Sequence, residues 1–200
     1  MSFVSRALVR AAHDLRQAGA AFALIGAIAV SLRGDPARTT LDVDFAVAVA
    51  HDGEAESIVA RMREKGYSIR EVLEETVAMR LATVRLISPV DDPTGVYVDL
   101  LFASTGIEDL VVASADEYEV FPRTFIPIAK LGHLLALKVL ANRPQDQMDG
   151  ARLILAAGES EIRRAREALD LIAARGFARE EGRDLQAELT RWIERAPEIA

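Results

Sequence analysis

The pattern of the chain and its composition predict an α/β fold with a helical C-terminal segment. Before residue 128, short apolar or alternating runs typical of strands stand between segments with helical spacing. From residue 128 onward the pattern is helical throughout. Half of the 200 residues are hydrophobic and 28% are charged, which is the composition of a globular chain with its own core. We therefore predict an α/β core over residues 1–127 and C-terminal helices packed on it over residues 128–200.

The first elements are a helix, a strand and a short second helix. Apolar residues recur at helical spacing over residues 4–15, and Gly19 ends this helix. Residues 21–25 are a short apolar run, which is typical of a buried strand. Gly26 then turns the chain into a brief helix over residues 27–32.

Residues 41–49 alternate in the manner of a strand with two different faces. One face is apolar and holds Leu41, Val43, Phe45 and Val47. Asp42 and Asp44 lie on the other face. Two carboxylates therefore point in the same direction.

The remaining elements follow from glycine and proline breaks. Residues 53–65 are predicted to be helical, and Gly66 closes them. Residues 77–87 and 96–102 have β-branched, alternating patterns and are predicted to form a hairpin with a long loop. The C-terminal segment should contain three or four helices, with breaks at Pro144, Gly158 and Gly176.

Composition also excludes several classes of protein. The net charge of −7 argues against broad electrostatic binding of nucleic acid or of an anionic membrane. The chain has no cysteine, which excludes disulfides, thiolate zinc sites and cysteine nucleophiles. The apolar stretch over residues 18–32 is shorter than the roughly 20 residues of a membrane span and contains Gly19 and Gly26. We therefore expect a cytoplasmic protein without a membrane partner.

Three aspartates are the candidate catalytic and metal-binding residues. Asp42 and Asp44 are two positions apart on one strand face, so their Cα atoms are roughly 7 Å apart. Asp99 lies in the predicted strand 96–102. If the two strands are neighbours, three oxygen donors converge without nitrogen or sulfur ligands, which favours Mg²⁺ or Mn²⁺ over zinc. The alternative is the solvated face of an edge strand, but the apolar flanks make unpaired carboxylates costly there.

The order of these segments resembles the minimal nucleotidyltransferases of the polymerase-beta superfamily. The resemblance rests on residues 24–27, the short helix after them, residues 38–44 and a later strand with residues 98–100. Residues 137–141 and the polar positions that follow are similar to the abortive-infection (AbiEii-like) nucleotidyltransferase group, many of which are toxins with a cognate antitoxin. These following positions are Arg143, Asp146 and Asp149.

The resemblance implies a mixed β-sheet core flanked by helices and a role for each motif. It implies that Asp42 and Asp44 hold two Mg²⁺ ions, and that Asp99 binds one of them and helps to deprotonate the acceptor. Gly26 and its neighbour Ala27 are implied to cradle the phosphates of a nucleotide, which agrees with backbone N–H groups at a helix start. Many relatives have a second Gly or a Ser where this chain has Ala27, so no hydroxyl is available there.

Four further positions have two interpretations each. Arg38 and Thr40 either hold phosphate or brace the loop before the acidic strand. Lys138 lies in an apolar helix, and the resemblance implies that it reaches the triphosphate while Asp149 orients it. The structural alternative is a salt bridge between Lys138 and Asp149 that joins two helices, with Asp146 compensating a helix dipole.

The sequence therefore predicts a metal-dependent nucleotidyltransferase. It would transfer a nucleoside monophosphate from an NTP to a hydroxyl acceptor and release pyrophosphate. The acceptor stays open between transfer RNA, a protein and a small molecule, and a cognate antitoxin is a further possible partner. The alternatives are a noncatalytic antitoxin or binding module with the same fold, for which Ala27 is the best hint, and an antibiotic-modifying nucleotidyltransferase.

Overall fold

A computed structural model describes residues 1–34, 40–75, 79–90, 95–178 and 182–199. Within these ranges the chain forms one seven-stranded mixed sheet flanked by eight helices, as the predicted α/β class requires. The strands are β1 (Ala21–Ile25), β2 (Asp42–Ala48), β3 (Ser68–Glu75), β4 (Arg80–Ile87), β5 (Tyr97–Leu101), β6 (Asp116–Phe121) and β7 (Thr124–Ile128). The helices are α1 (Phe3–Gln17), α2 (Gly26–Arg33), α3 (Asp52–Glu64), α4 (Glu108–Ala113), α5 (Leu131–Ala141), α6 (Pro144–Ala156), α7 (Glu159–Ala174) and α8 (Leu185–Ile199).

The order of the strands in the sheet is β3-β4-β5-β2-β1-β7-β6. The pairs β2–β5 and β1–β7 are parallel, and the other neighbours are antiparallel. Helices α1, α3 and α4 pack against the sheet, whereas α5 packs against α6 and α7. Because β2 and β5 are parallel neighbours at the centre, polar side chains at equivalent positions of both strands meet on one face.

The local elements follow the sequence signals closely. β1 has the predicted bounds, and Gly19 after α1 has a φ of +73°, a left-handed conformation that glycine adopts without strain. The predicted hairpin is confirmed by the antiparallel pair β4–β5, although its predicted first residues at 77 and 78 lie outside the described part of the chain. The C-terminal segment forms α5 to α8, with α6 starting at Pro144 and Gly158 capping α7.

The environment of Leu41 differs from the one that the alternation predicts. The pattern places Leu41 on the apolar face of the acidic strand, but β2 begins at Asp42, and Leu41 is 65% exposed. Alternation orients a side chain only inside a paired strand, so the pattern did not apply one residue before it. The rest of that apolar face is fully buried, namely Val43, Phe45 and Val47.

No helix in the described ranges is long and apolar enough to cross a membrane. The division of the chain into a core over 1–127 and helices over 128–200 stays a prediction.

Candidate active site

The three predicted aspartates lie together in one cavity. Asp44 of β2 is directly opposite Asp99 of β5 in the parallel register, and Asp42 is two residues earlier on the same face as Asp44. All three line a cavity of about 420 Å³, a volume within the usual range of small-molecule sites. Pairing of parallel strands 55 positions apart in the sequence thus produces the cluster.

The ionisation of Asp44 is strongly perturbed in the cavity. Burial is the main reason that its pKa rises from the ordinary 3.8 to about 7, and repulsion from Asp99 and Asp42 adds to the rise. Lys138 and Arg85 lower this pKa without cancelling the effect. An ionised Asp44 is therefore poorly solvated and repelled by two carboxylates, so a cation bound nearby would stabilise it.

Asp99 is held by a cation of the protein itself. Arg85, opposite it on β4, donates from Nε to Oδ1 at 2.8 Å and from Nη2 to Oδ2 at 2.6 Å. The guanidinium also lies 5.2 Å from the ring centroid of Tyr97. Both oxygens of Asp99 are thus directed at Arg85, and within the described residues no three histidine or carboxylate side chains are arranged to hold a metal ion.

Sequence reasoning missed Arg85. The signal was present, because Arg85 is the charged residue on the polar face of the alternating strand β4. What the sequence did not contain was the register that places this residue opposite Asp99. Register between β4 and β5 depends on the geometry of the loop between them, which the pattern of side chains does not define.

Gly26 has a steric role at the acidic cluster. Its φ is +67°, and a Cβ at this position would lie 1.9 Å from Oδ2 of Asp44 and 2.8 Å from its Cβ. The Asp44 side chain therefore occupies the space above Gly26. The same glycine begins α2, and Ile25 before it has no side-chain group that could cap the helix. Gly26 and Ala27 both line the cavity, so the first turn of α2 faces the carboxylates.

For the loop before β2, the structure shows the contacts of Thr40 but does not describe Arg38. The backbone N–H of Asp42 donates to Oγ1 of Thr40 at 3.2 Å, so Thr40 braces the start of the acidic strand. Thr40 also lines the cavity, which leaves a contact with a ligand open to it. Arg38 lies outside the described residues.

Lys138 forms the core of a buried ionic cluster between α5 and α6. Its Nζ lies 2.9 Å from Oδ1 of Asp146 and 2.8 Å from Oδ2 of Asp149, and all three side chains are buried. Burial raises the pKa of Asp146, but hydrogen bonds from Arg143 and Lys138 outweigh this and keep it below the ordinary value. Asp146 also accepts from the backbone N–H of Arg143 at the start of α6. The salt bridge of the structural alternative is thus present, and Lys138 lines the cavity as well.

Hydroxyl groups also line the cavity and were not identified from the sequence. The hydroxyl groups of Thr83 and Ser104 are 2.6 Å apart. Buried Glu108 accepts from the backbone N–H groups of Ser104 and Thr105, at 2.8 Å each. These Ser and Thr residues belong to no recognisable sequence motif, so only the folded structure shows that they line the cavity.

The comparisons with known proteins concern the fold. No family model matches the chain, and no curated protein matches it either. The structure resembles that of an antigenic nucleotidyltransferase-like protein from Paracoccidioides brasiliensis, with a TM-score of 0.54 and 18% identity over 92% of this chain and 91% of that chain. The antibiotic-resistance factor ANT(2'')-Ia aligns over 98% of this chain and 96% of its own, with 14% identity and a TM-score of 0.48.

The first of these likenesses shows that the chain shares its fold with a nucleotidyltransferase-like protein, which agrees with the predicted fold. At 18% identity it concerns the arrangement of the chain and not its activity. The AbiEii-like group, the metal ions and the roles of the individual residues stay predictions.

Proposed function

We propose that this protein is a metal-dependent nucleotidyltransferase that transfers a nucleoside monophosphate from an NTP to a hydroxyl acceptor and releases pyrophosphate. The observation that carries the proposal is the convergence of Asp42, Asp44 and Asp99 in one cavity beside the start of α2. The nucleotidyltransferase-like fold supports it.

The donor set of the cavity fits Mg²⁺ or Mn²⁺ by its chemistry, although the described carboxylates are not gathered around one point. Asp42, Asp44 and Asp99 offer carboxylate oxygens, and hard divalent cations prefer such ligands. The raised pKa of Asp44 supports the same assignment, because a cation nearby would stabilise the ionised form that the protein alone does not. When bound, such ions supply polarisation of the phosphates and neutralisation of the leaving pyrophosphate.

The residues around the cavity then have different roles, which follow from their positions. The first turn of α2 directs the N–H groups of Gly26 and Ala27 at the phosphates, where the helix dipole favours negative charge. Asp99 accepts the proton of the acceptor hydroxyl at a carboxylate oxygen. Lys138 contributes positive charge at the cavity wall, while Asp146 and Asp149 fix its position.

The finer assignment is to the AbiEii-like toxins with a cognate antitoxin. It is supported by Lys138, Asp146 and Asp149, which the resemblance singles out and which lie in one ionic cluster at the cavity. One observation favours a noncatalytic binding module instead: Arg85 already neutralises Asp99. The two functions differ in whether label is transferred from a nucleotide.

The test is transfer of label from each α-labelled NTP to the components of a cell extract, with Mg²⁺ or Mn²⁺ present. We expect one NTP to label an RNA, a protein or a small molecule, which identifies the acceptor class. Asp99→Asn should abolish transfer and leave nucleotide binding nearly unchanged, because it removes the base but little volume. Asp109→Asn, on the exposed side of α4, is the control and should transfer normally. Nucleotide binding without transfer of any label would instead support the binding module.

A further inference from the structure

Four charged side chains form a row across one face of the sheet. Asp44 of β2 is opposite Asp99 of β5, Asp99 is opposite Arg85 of β4, and Arg85 is opposite Glu71 of β3. Residues directly opposite on neighbouring strands point to the same face, with Cβ atoms roughly 5 Å apart. Arg85 therefore stands between two carboxylates, one at the centre of the site and one on the edge strand.

An irregularity in β3 creates the outer half of this row. Ile69 pairs with Leu86, but the register shifts before the next pair, which is Glu71 with Arg85. In a regular antiparallel register Arg70 would oppose Arg85, and two like charges would face each other across the strands. The bulge instead places a carboxylate there, and bulges beside active sites often redirect one side chain in this way.

The two carboxylates beside Arg85 differ in their surroundings. The side chain of Asp99 is only 9% exposed, whereas that of Arg85 is 36% exposed and Glu71 is exposed on the edge strand. Arg85 makes two short hydrogen bonds to Asp99, the partner that loses more solvation by burial. Because Glu71 is the opposite neighbour on the other side, it is the nearest cross-strand carboxylate for an Arg85 side chain that turns away from Asp99.

We propose that Arg85 competes with a divalent cation for Asp99 and that its side chain moves to Glu71 when the cation binds the aspartates. The inference rests on the proposed function, because it assigns two positioning residues to the same site. A divalent ion then competes with the guanidinium for Asp99, so affinity for the ion is low in the absence of nucleotide. Glu71 offsets part of that competition by giving the displaced guanidinium a new partner.

The experiment measures the Kd of Mn²⁺ without nucleotide, from the electron paramagnetic resonance signal of the free ion. Arg85→Met should tighten Mn²⁺ binding about tenfold, because the competing cation is gone. Glu71→Gln should weaken binding about threefold in the wild-type background, and should have no effect once Arg85→Met is present. Glu74→Gln removes a charge from the same exposed strand opposite Leu81 and should change nothing in either background.

The double-mutant cycle separates the proposal from its rivals. If Glu71→Gln weakens Mn²⁺ binding equally in both backgrounds, Glu71 attracts the ion only at long range. If the Kd of Mn²⁺ is unchanged in Arg85→Met, Arg85 does not compete with the ion. Either result overturns the proposal. If Arg85→Met fails to fold, Arg85→Lys serves instead, since it cannot make the two-point contact and should tighten binding by a smaller factor. Mn²⁺ binding that Asp44→Asn does not weaken would refute the proposed function itself.

Discussion

Replacing Asp44 with asparagine should stabilise the protein at neutral pH while it disables the site. The protonated aspartic acid and asparagine are similar in shape, so the substitution removes a charge and little else. Asp44 is half-buried against Gly26, and its pKa is raised to about 7. At higher pH the folded protein therefore carries a partly desolvated charge that the unfolded chain exposes to water.

The sign and size of the effect follow from linkage. Between about pH 4 and pH 7 the folded state keeps the Asp44 proton and the unfolded state releases it, so the wild type loses stability as the pH rises. The pKa difference is about three units at about 1.36 kcal/mol each, which gives an upper bound of about 4 kcal/mol above pH 7. Asp44→Asn lacks this loss, so its advantage should be small near pH 4 and should reach its plateau above pH 7.

The assay is urea unfolding of both proteins at about pH 4.5, 6 and 8, with EDTA present. Addition of Mn²⁺ at the highest pH should then restore stability to the wild type and not to Asp44→Asn, because a ligand stabilises only the state that binds it. An Asp44→Asn protein that gains no stability over the wild type as the pH rises would refute the electrostatic description of the site.

Asp116 offers a control with the opposite sign. A hydrogen bond from Lys130 outweighs partial burial and, with help from Arg33, lowers the pKa of Asp116. Its contribution to stability is therefore present at neutral pH and is lost as the pH falls through the folded pKa. Asp116→Asn should be less stable than the wild type at about pH 8, and this deficit should shrink in acid.

Two further substitutions test contacts at the cavity. Gly26→Ala should lower the free energy of unfolding by roughly 1–3 kcal/mol and weaken Mn²⁺ binding, because the added Cβ collides with Asp44; unchanged Mn²⁺ affinity would contradict this. Lys138→Met should cost up to about 3–5 kcal/mol, since Asp146 then keeps only Arg143 and Asp149 only the more distant Arg152, and adding Asp149→Asn should recover part of that loss. The nucleotide Kd of this double variant then tests the role of Lys138. A Kd about tenfold above that of the wild type would mean that Lys138 contacts the triphosphate, whereas a wild-type Kd would mean that Lys138 is purely structural.

The sequence predicted those parts of the fold whose signals are local. The bounds of β1, the turn at Gly26 and the acidic face of β2 depend on spacing within a few residues, and all three agree with the structure. The strand with Asp99 was found for the same reason. Its position beside β2 came only from the resemblance, because no local pattern specifies which strands pair in parallel.

The elements that were missed lack a regular pattern. β3 contains two shifts of register and is exposed on the edge of the sheet, so its residues Ser68–Glu75 show no strict alternation. α4 has only six residues, which is too short for a helical period to be recognised. β6 and β7 are short strands, and the chain turns between them at Arg123, which has a φ of +61°. Glycine usually occupies such a left-handed position, so the turn has no glycine to indicate it in the sequence.

The same limit applies to the site: local patterns identify its carboxylates, whereas the cations beside them come from distant parts of the chain. The patterns of two strands predict the three carboxylates. The positive charges that compensate them come from other elements, namely Arg85 of β4 at Asp99 and Lys138 of α5 near Asp44. Buried like charges destabilise a fold unless cations balance them, so these two residues help the unliganded chain to remain folded. They are also the positive charges that a divalent ion and a triphosphate would meet on entering the cavity. The contacts that stabilise the free protein therefore determine how strongly it binds its proposed ligands, and Arg85 and Lys138 are the positions at which stability and affinity should change together.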